Sequence, residues 1–277
     1  MAAAAAAAVY ADHPFPLITT PNFKLLAPKD TVTPSDGPSD SNKKPDVFDD
    51  CASEMACVHN IIMRGLNSIY LQAPHIKTSD QKSFLNYVMN WHKLLHVHHR
   101  GEEEGFFPDL EAMAGEKGIL EANVTQHKAF HDGVDSFKGY VGDVQAGKQK
   151  YDGKRIQALI DGFGQTLVQH LADEIPSLQN LRSYGEGKMA GYRKRCDKEG
   201  EDNMKAIGTA GLCFVFANMD VHYEDDLWKS FPPAPAPVKF LVRNVFWWMN
   251  ADQWKFAACD RQGKLRPLYA VPVPRSA

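Results

Sequence analysis

Four segments of this chain carry apolar residues at helical spacing, and each apolar stripe is interrupted near its middle by histidine or glutamate. A helix repeats about every 3.6 residues, so one stripe of it can line a core. Phe84, Val88, Trp91 and Leu95 define such a stripe, and the same register lands on His98, Glu102 and Phe106. In the first segment the stripe reads Phe48, Ala52, Met55, His59, Ile62, Leu66, Ile69. The third reads Leu120, Val124, His127, His131, Val134, and the fourth Ile156, Ile160, Phe163, Leu167, His170, Glu174, Leu178, Leu181. This periodicity predicts helices over 48–72, 78–114, 118–147 and 152–183, joined by short connections. Four such helices make an all-α, up-down-up-down four-helix bundle.

Five histidines (His59, His98, His127, His131, His170) and two glutamates (Glu102, Glu174) are thereby predicted to face one core. Spacing of i, i+4 sets two side chains about 6 Å apart along the axis and about 40° apart around it, so that both can reach one point. Unpartnered polar groups in a core cost several kcal/mol each, approximately, and a shared cation removes that cost. Imidazole and carboxylate without thiolate suit iron, manganese, zinc or nickel. Seven ligands exceed one octahedral ion, and two ions sharing the carboxylates fit better. Two octahedral ions offer about twelve positions; five histidines, two bridging carboxylates and a bridging oxide or hydroxide leave about one open for a small ligand such as dioxygen.

Other polar residues nearby read differently. His92, His96 and His99 form their own row away from the apolar stripe, with a supporting or surface role, although His99 with Glu103 rivals His98 with Glu102 for the inward register. Glu103 and Glu104 are expected to be solvated or to orient a ligand imidazole. His222-Tyr-Glu-Asp-Asp226 reads as an acidic helix end, His75 as a loop residue, and Pro108 and Pro176 as kinks.

Outside the bundle, residues 1–45 are rich in Ala, Pro, Ser, Thr and Asp without periodicity and read as a disordered or loosely packed leader. The bundle is assigned to 46–185. Residues 186–277 form an extension: a fifth helix over about 187–222, then Phe231-Pro-Pro-Ala-Pro-Ala-Pro237 and a tail dense in aromatics, expected to pack on the bundle. Five scattered cysteines without a C-x-x-C pair suggest free thiols. Met1 and seven alanines precede the first basic residue, Lys24, which fits neither a signal nor a transit peptide, so a cytoplasmic location is expected. A net charge of −3 and pI near 6.4 argue against nucleic acid or an anionic membrane as partner, and no apolar run is long enough to span a bilayer.

The motifs His59-Asn60, His98-x-x-x-Glu102 followed by Glu-Glu-Gly-Phe-Phe-Pro, Gln-His127-x-x-x-His131 and His170-x-x-x-Glu174 resemble the hemerythrin-like family with its HHE cation-binding domain. The resemblance covers about residues 50–182. It implies a four-helix bundle around a non-haem diiron centre, with His59, His98, His127, His131 and His170 as terminal ligands and Glu102 and Glu174 as bridges. In the animal oxygen carriers the last pair is histidine and aspartate one residue further on, so His170-x-x-x-Glu174 places this chain with the broader group of sensors, iron-handling proteins and enzymes. The region after 187 resembles extensions of filamentous-fungal members. The expected function is a diiron protein binding or activating dioxygen, first as an oxidase or oxygenase on a small organic substrate, because the aromatic tail exceeds what a carrier needs. A dioxygen or redox sensor or carrier, suggested by the histidine-rich set, and an iron-binding or detoxifying protein, suggested by Glu102–Glu104, are the alternatives.

Overall fold

The computed structural model describes residues 8–26 and 44–272. Its core is four long helical arms. Helix α2 (Val47–Gln72) begins at Asp46, whose carboxylate accepts hydrogen bonds from the Phe48 and Asp49 amides at 2.9 and 3.0 Å, while Asp49 reciprocates onto the Asp46 amide. Such a cap satisfies amides that a helix start would otherwise leave open. The second arm is α3 (Gln81–Gly101), a π-helical turn (Glu102–Phe106) and α4 (Phe107–Ala114), closed by Gly115 at φ 72°. Helix α5 (Glu121–Gln145) is the third arm, and α6 (Gly153–Asp161) with α7 (Gly164–Asn180) the fourth. Helix α2 packs on α3 and α7, and α5 packs on α3 and α7, which closes a four-membered ring of helices.

The far half of the bundle is apolar. Trp91, fully buried, donates its indole N–H to the Ile62 carbonyl at 3.0 Å and meets the rings of Phe137 and Phe163. Helices approach so closely there that a β-carbon on Gly65 would lie 2.7 Å from Phe214 and 2.8 Å from Trp91.

Helix α8 (Tyr192–Asn218) lies across α2 and α3. It breaks at Gly208, whose φ of 67° is a left-handed conformation that glycine adopts without steric cost. The C-terminal segment folds onto α8 and α3 through short helices α9 (Ala236–Leu241), α10 (Trp247–Met249) and α11 (Ala251–Trp254). Trp254 and Phe256 are buried, and the Phe256 carbonyl accepts hydrogen bonds from Ser68 and, at 2.8 Å, from Gln72 of α2. Among the described residues no β-strand forms; Cys259 and Leu265 make an isolated bridge. No helix among them is long and apolar enough to cross a membrane.

The leader differs from its expected looseness. Residues 8–26, which include helix α1 (Pro21–Leu26), are strapped along α2: Asn67 accepts from the Phe15 amide and donates to the Ala11 and Phe15 carbonyls, all at 2.9 Å. Asn60 exchanges two hydrogen bonds with Ile18, at 2.8 and 2.9 Å. Buried asparagines whose amides match a backbone explain the order, a signal that apolar periodicity does not carry. The rest of that leader, 1–7 and 27–43, lies outside the described residues.

Candidate metal centre

Side chains from all four arms converge at mid-bundle in two adjoining groups. Ligand-capable atoms of His59, His98, Glu102 and Glu174 lie within 4.8 Å of one another, and so do those of His99, His127 and His170. Within the first group the Nε2 atoms of His59 and His98 stand 3.0 Å apart; within the second those of His127 and His170 stand 2.9 Å apart. The carboxylates span both. Glu102 sets Oε1 3.1 Å from His98 and Oε2 3.6 Å from His127. Glu174 sets Oε2 3.5 Å from His59 and 3.8 Å from His170.

Local sequence explains this convergence. His98 and His99 sit about 100° apart around α3, straddling its inward stripe, so one ring meets α2 and the other stacks on His127 of α5 with centroids 4.2 Å apart. Helix α3 then widens into the π turn, in which the Phe107 amide donates to the Glu102 carbonyl. Pro108 follows directly and has no amide hydrogen to continue the regular ladder. Single π turns are frequent at functional sites, and this one begins on Glu102.

His131 is not part of the convergence. The buried face of α5 runs Asn123, His127, Phe130, Val134, Phe137, a step of three after His127 and not of four. His131 therefore points outward, its side chain 68% exposed, with Asp132 and Asp135 at 3.7 and 3.6 Å. The third histidine of that group is His99. Its i, i+4 partner Glu103 turns instead to the outside of His127, and the aromatic position Phe130, one step before His131, was the available sign that the α5 stripe had shifted. His92 is buried and stacks near the exposed His96, 6.1 Å between centroids, away from either group.

Outer hydrogen bonds aim the imidazoles. His59 donates Nδ1–H to the Leu171 carbonyl at 2.8 Å, His127 to Glu103 Oε1 at 2.6 Å, and His170 to Gln126 Oε1 at 3.0 Å. Gln126 is itself held by Asp173 at 3.0 Å. A proton committed to Nδ1 leaves the Nε2 lone pair directed at the centre, the arrangement that metal-ligating histidines require.

Electrostatics in the bare protein point the same way. Burial pushes His98 down to about 3 and His170 to about 2, with His127 and, for His170, His59 adding repulsion; His59, His99 and His127 are lowered too, each chiefly by burial. Burial first, and the neighbouring carboxylates second, raise Glu102 well above the usual range, and burial lifts Glu174 to about 8. Neutral imidazoles are ligands, and anions that burial resists are stabilised by a nearby cation. Both oxygens of Glu102, both of Glu174 and Nε2 of His99 are buried without a hydrogen-bond partner. Buried polar atoms are rarely orphaned, and a cation shared by these lone pairs would satisfy all five. The donor set, nitrogen and oxygen only, fits a transition-metal site.

One wall of the centre is also the wall of a cavity. A space of about 320 Å³ lies among α2, α3 and α8, lined in part by His98 and Phe106, with Phe231, Pro232 and Pro233 completing it. On the α8 side Glu199 is buried, accepting from Arg195 at 3.1 Å and from Asn203 at 2.9 Å.

A helical bundle that gathers imidazoles and carboxylates at its middle is a metal-binding bundle. Residues 53–175 match the hemerythrin HHE cation-binding domain. The chain is also 31% identical over 245 residues to the dimeric xanthone biosynthesis cluster protein R11 of Cryptosporiopsis sp. (strain 8999), an alignment covering 87% of this chain and 90% of that one. No solved structure matches. The chain belongs to the hemerythrin HHE family.

Proposed function

We propose that the centre holds two iron ions and that the protein activates dioxygen to oxidise a small organic molecule bound in the adjoining cavity. His59 and His98 would hold one ion, His99, His127 and His170 the other, and Glu102 and Glu174 would be shared. Bound iron would supply the redox chemistry and a position for dioxygen. The chain's own part is to aim five Nε2 lone pairs, to keep the carboxylates dry, and to hold a substrate against His98. One observation carries the choice of an oxidative enzyme over a sensor or an iron store: a ligand histidine forms part of the cavity wall. The relative's name, which ties it to a biosynthesis cluster, favours the same choice. A dioxygen or redox sensor remains the second reading, favoured by a ligand set in which histidines outnumber carboxylates.

Metal analysis should find about two irons per chain, lowered by His98→Ala and by Glu174→Ala. Exposing the anaerobic ferrous protein to dioxygen then separates the readings. Steady dioxygen consumption accelerated by a small aromatic molecule supports the enzyme, whereas a stable adduct that evacuation reverses supports the sensor.

A further inference from the structure

We infer that the cavity between α2, α3 and α8 binds a neutral, compact aromatic molecule bearing a hydroxyl group, held by hydroxyl donation to Oδ1 of Asn203, beside Glu199. This rests on the oxidative reading above and gives its substrate class. The lining is mostly apolar, with Val58 and Ile61 of α2, Leu94 of α3 and Ile207 of α8. Four sulfur atoms, from Cys51, Met55, Cys196 and Met204, join them. Thioethers and thiols are polarisable and make favourable contacts with ring edges, so the wall suits a flat ring system better than a branched aliphatic one. The volume lies at the small end of small-molecule pockets, which favours compact fused rings over a long acyl chain.

Charge decides the rest. Glu54 of α2 and Asp197, Glu199 and Glu201 of α8 line one side, and each is already in an ion pair: Arg193 serves both Glu54, at 2.7 Å, and Asp197, Arg195 pairs with Glu199 at 3.1 Å, and Lys205 with Glu201 at 3.5 Å. An ammonium ligand would have to compete with those cations for a carboxylate. A ligand carboxylate would find each of these cations already engaged by an acidic side chain. Acceptors remain: Asn203 gives its amide N–H to Glu199 at 2.9 Å, which leaves its Oδ1 to accept. Glu199 has lone pairs beyond the two bonds it receives. A hydroxyl is the uncharged group that donates to such acceptors without displacing a paired cation. Gly101 brings this polar end against α3, since a β-carbon there would lie 2.2 Å from Glu199 and 2.7 Å from Asn203, so an anchored ring sits within a turn of His98.

Four probes of one shape test the assignment on the iron-loaded protein under anaerobic conditions: 1-naphthol, naphthalene, 1-naphthoate and 1-naphthylmethylammonium, titrated calorimetrically. Naphthol should bind about ten-fold more tightly than each of the others, because naphthalene and naphthoate bring no donor to the wall's acceptors and the ammonium must displace a cation already paired. Asn203→Leu should reduce naphthol to the level of naphthalene. Ile207→Trp, which fills the cavity, should abolish naphthol binding while iron per chain stays unchanged. Equal or tighter binding of either charged probe, no binding of naphthol, or binding that ignores Ile207→Trp would overturn the inference. Iron content and dioxygen uptake are read on the same samples, so a chain that holds iron and takes up dioxygen yet prefers a charged probe defeats the substrate class alone. A chain without iron defeats the reading of the centre.

Discussion

His99 and His131 carry the main lesson at the scale of single residues. The helical wheel puts His131 on its apolar stripe and His99 one position off its own, and so ranks His131 the better. The structure reverses them because α5 takes a three-residue step from His127 to Phe130, burying the larger apolar ring and turning His131 to solvent. Hence His99→Ala should lower metal content as His98→Ala does, and His131→Ala should leave it unchanged, as read by metal analysis. Glu103→Gln and Gln126→Leu touch only the outer nitrogens of His127 and His170, and each should weaken metal retention about 10- to 100-fold in competition with a chelator. Titration adds a second expectation. Unfolded, the histidines take up protons near 6.5 and the glutamates near 4.5; folded and metal-free, His59, His98, His99 and His170 stay neutral far lower, His127 is lowered too, and Glu174 keeps its proton up to about 8. From about pH 6.5 down to 4.5 the unfolded chain gains protons on the histidines, outweighing those held by the two native carboxyls, so stability falls with acid. From about 6.5 to 8, of the groups in the centre only the carboxyls differ, holding protons that the unfolded chain has lost, and stability falls as the pH rises. Denaturant melts of the metal-free chain should therefore peak near pH 6.5, and metal, which ionises the carboxyls already, should remove the alkaline decline.

At the scale of elements, the four helices were legible because apolar periodicity over twenty or more residues is a strong signal: Val47–Gln72 matches the expected 48–72 to within a residue, and Glu121–Gln145 falls two to three residues inside the expected 118–147. The π turn was not legible. Its cause is spread over Pro108, which withholds an amide, and over Gly101 and Gly105, which admit Glu199 and Arg195 of a helix nearly a hundred residues away. A long-range contact of that kind leaves no local pattern. Gly101→Ala should be felt twice: its β-carbon meets the buried Glu199 carboxylate at 2.2 Å, so that side chain must shift and loosen its bonds to Arg195 and Asn203, at about 1–3 kcal/mol of stability. Because Glu102 is the next residue, metal content should fall as well. Thermal unfolding and metal analysis of one preparation check both.

Across the whole molecule, the leader, the bundle and the C-terminal segment form one interlocked body, and the interlocking bonds are polar. Leu268 donates its amide to the Val9 carbonyl at 2.9 Å, joining the two ends, while Asn218 Oδ1 accepts from Tyr87 at 2.8 Å and from the Ala258 amide at 3.1 Å. Such contacts make the C-terminal segment structural as well as a cavity wall. Removing 231–277 would uncover Phe84 and Tyr87, whose rings pack on Phe256, and strand the buried Ser68 and Gln72 side chains. Buried groups left without partners cost about 1–3 kcal/mol each, on top of the apolar area returned to water, a loss comparable with the whole stability of a typical domain. The truncated chain should accordingly be insoluble or lack a cooperative melt. Asn67→Leu is the graded version: it keeps the volume, removes three hydrogen bonds to residues 11–15, and leaves the Phe15 amide and two carbonyls unpaired. The bundle should still melt cooperatively, about 2–4 kcal/mol less stable, with proteolysis within 8–26 quickened and iron content preserved, because Asn67 lies two turns beyond His59 on α2. Loss of iron in this variant would show that the strap supports the centre directly.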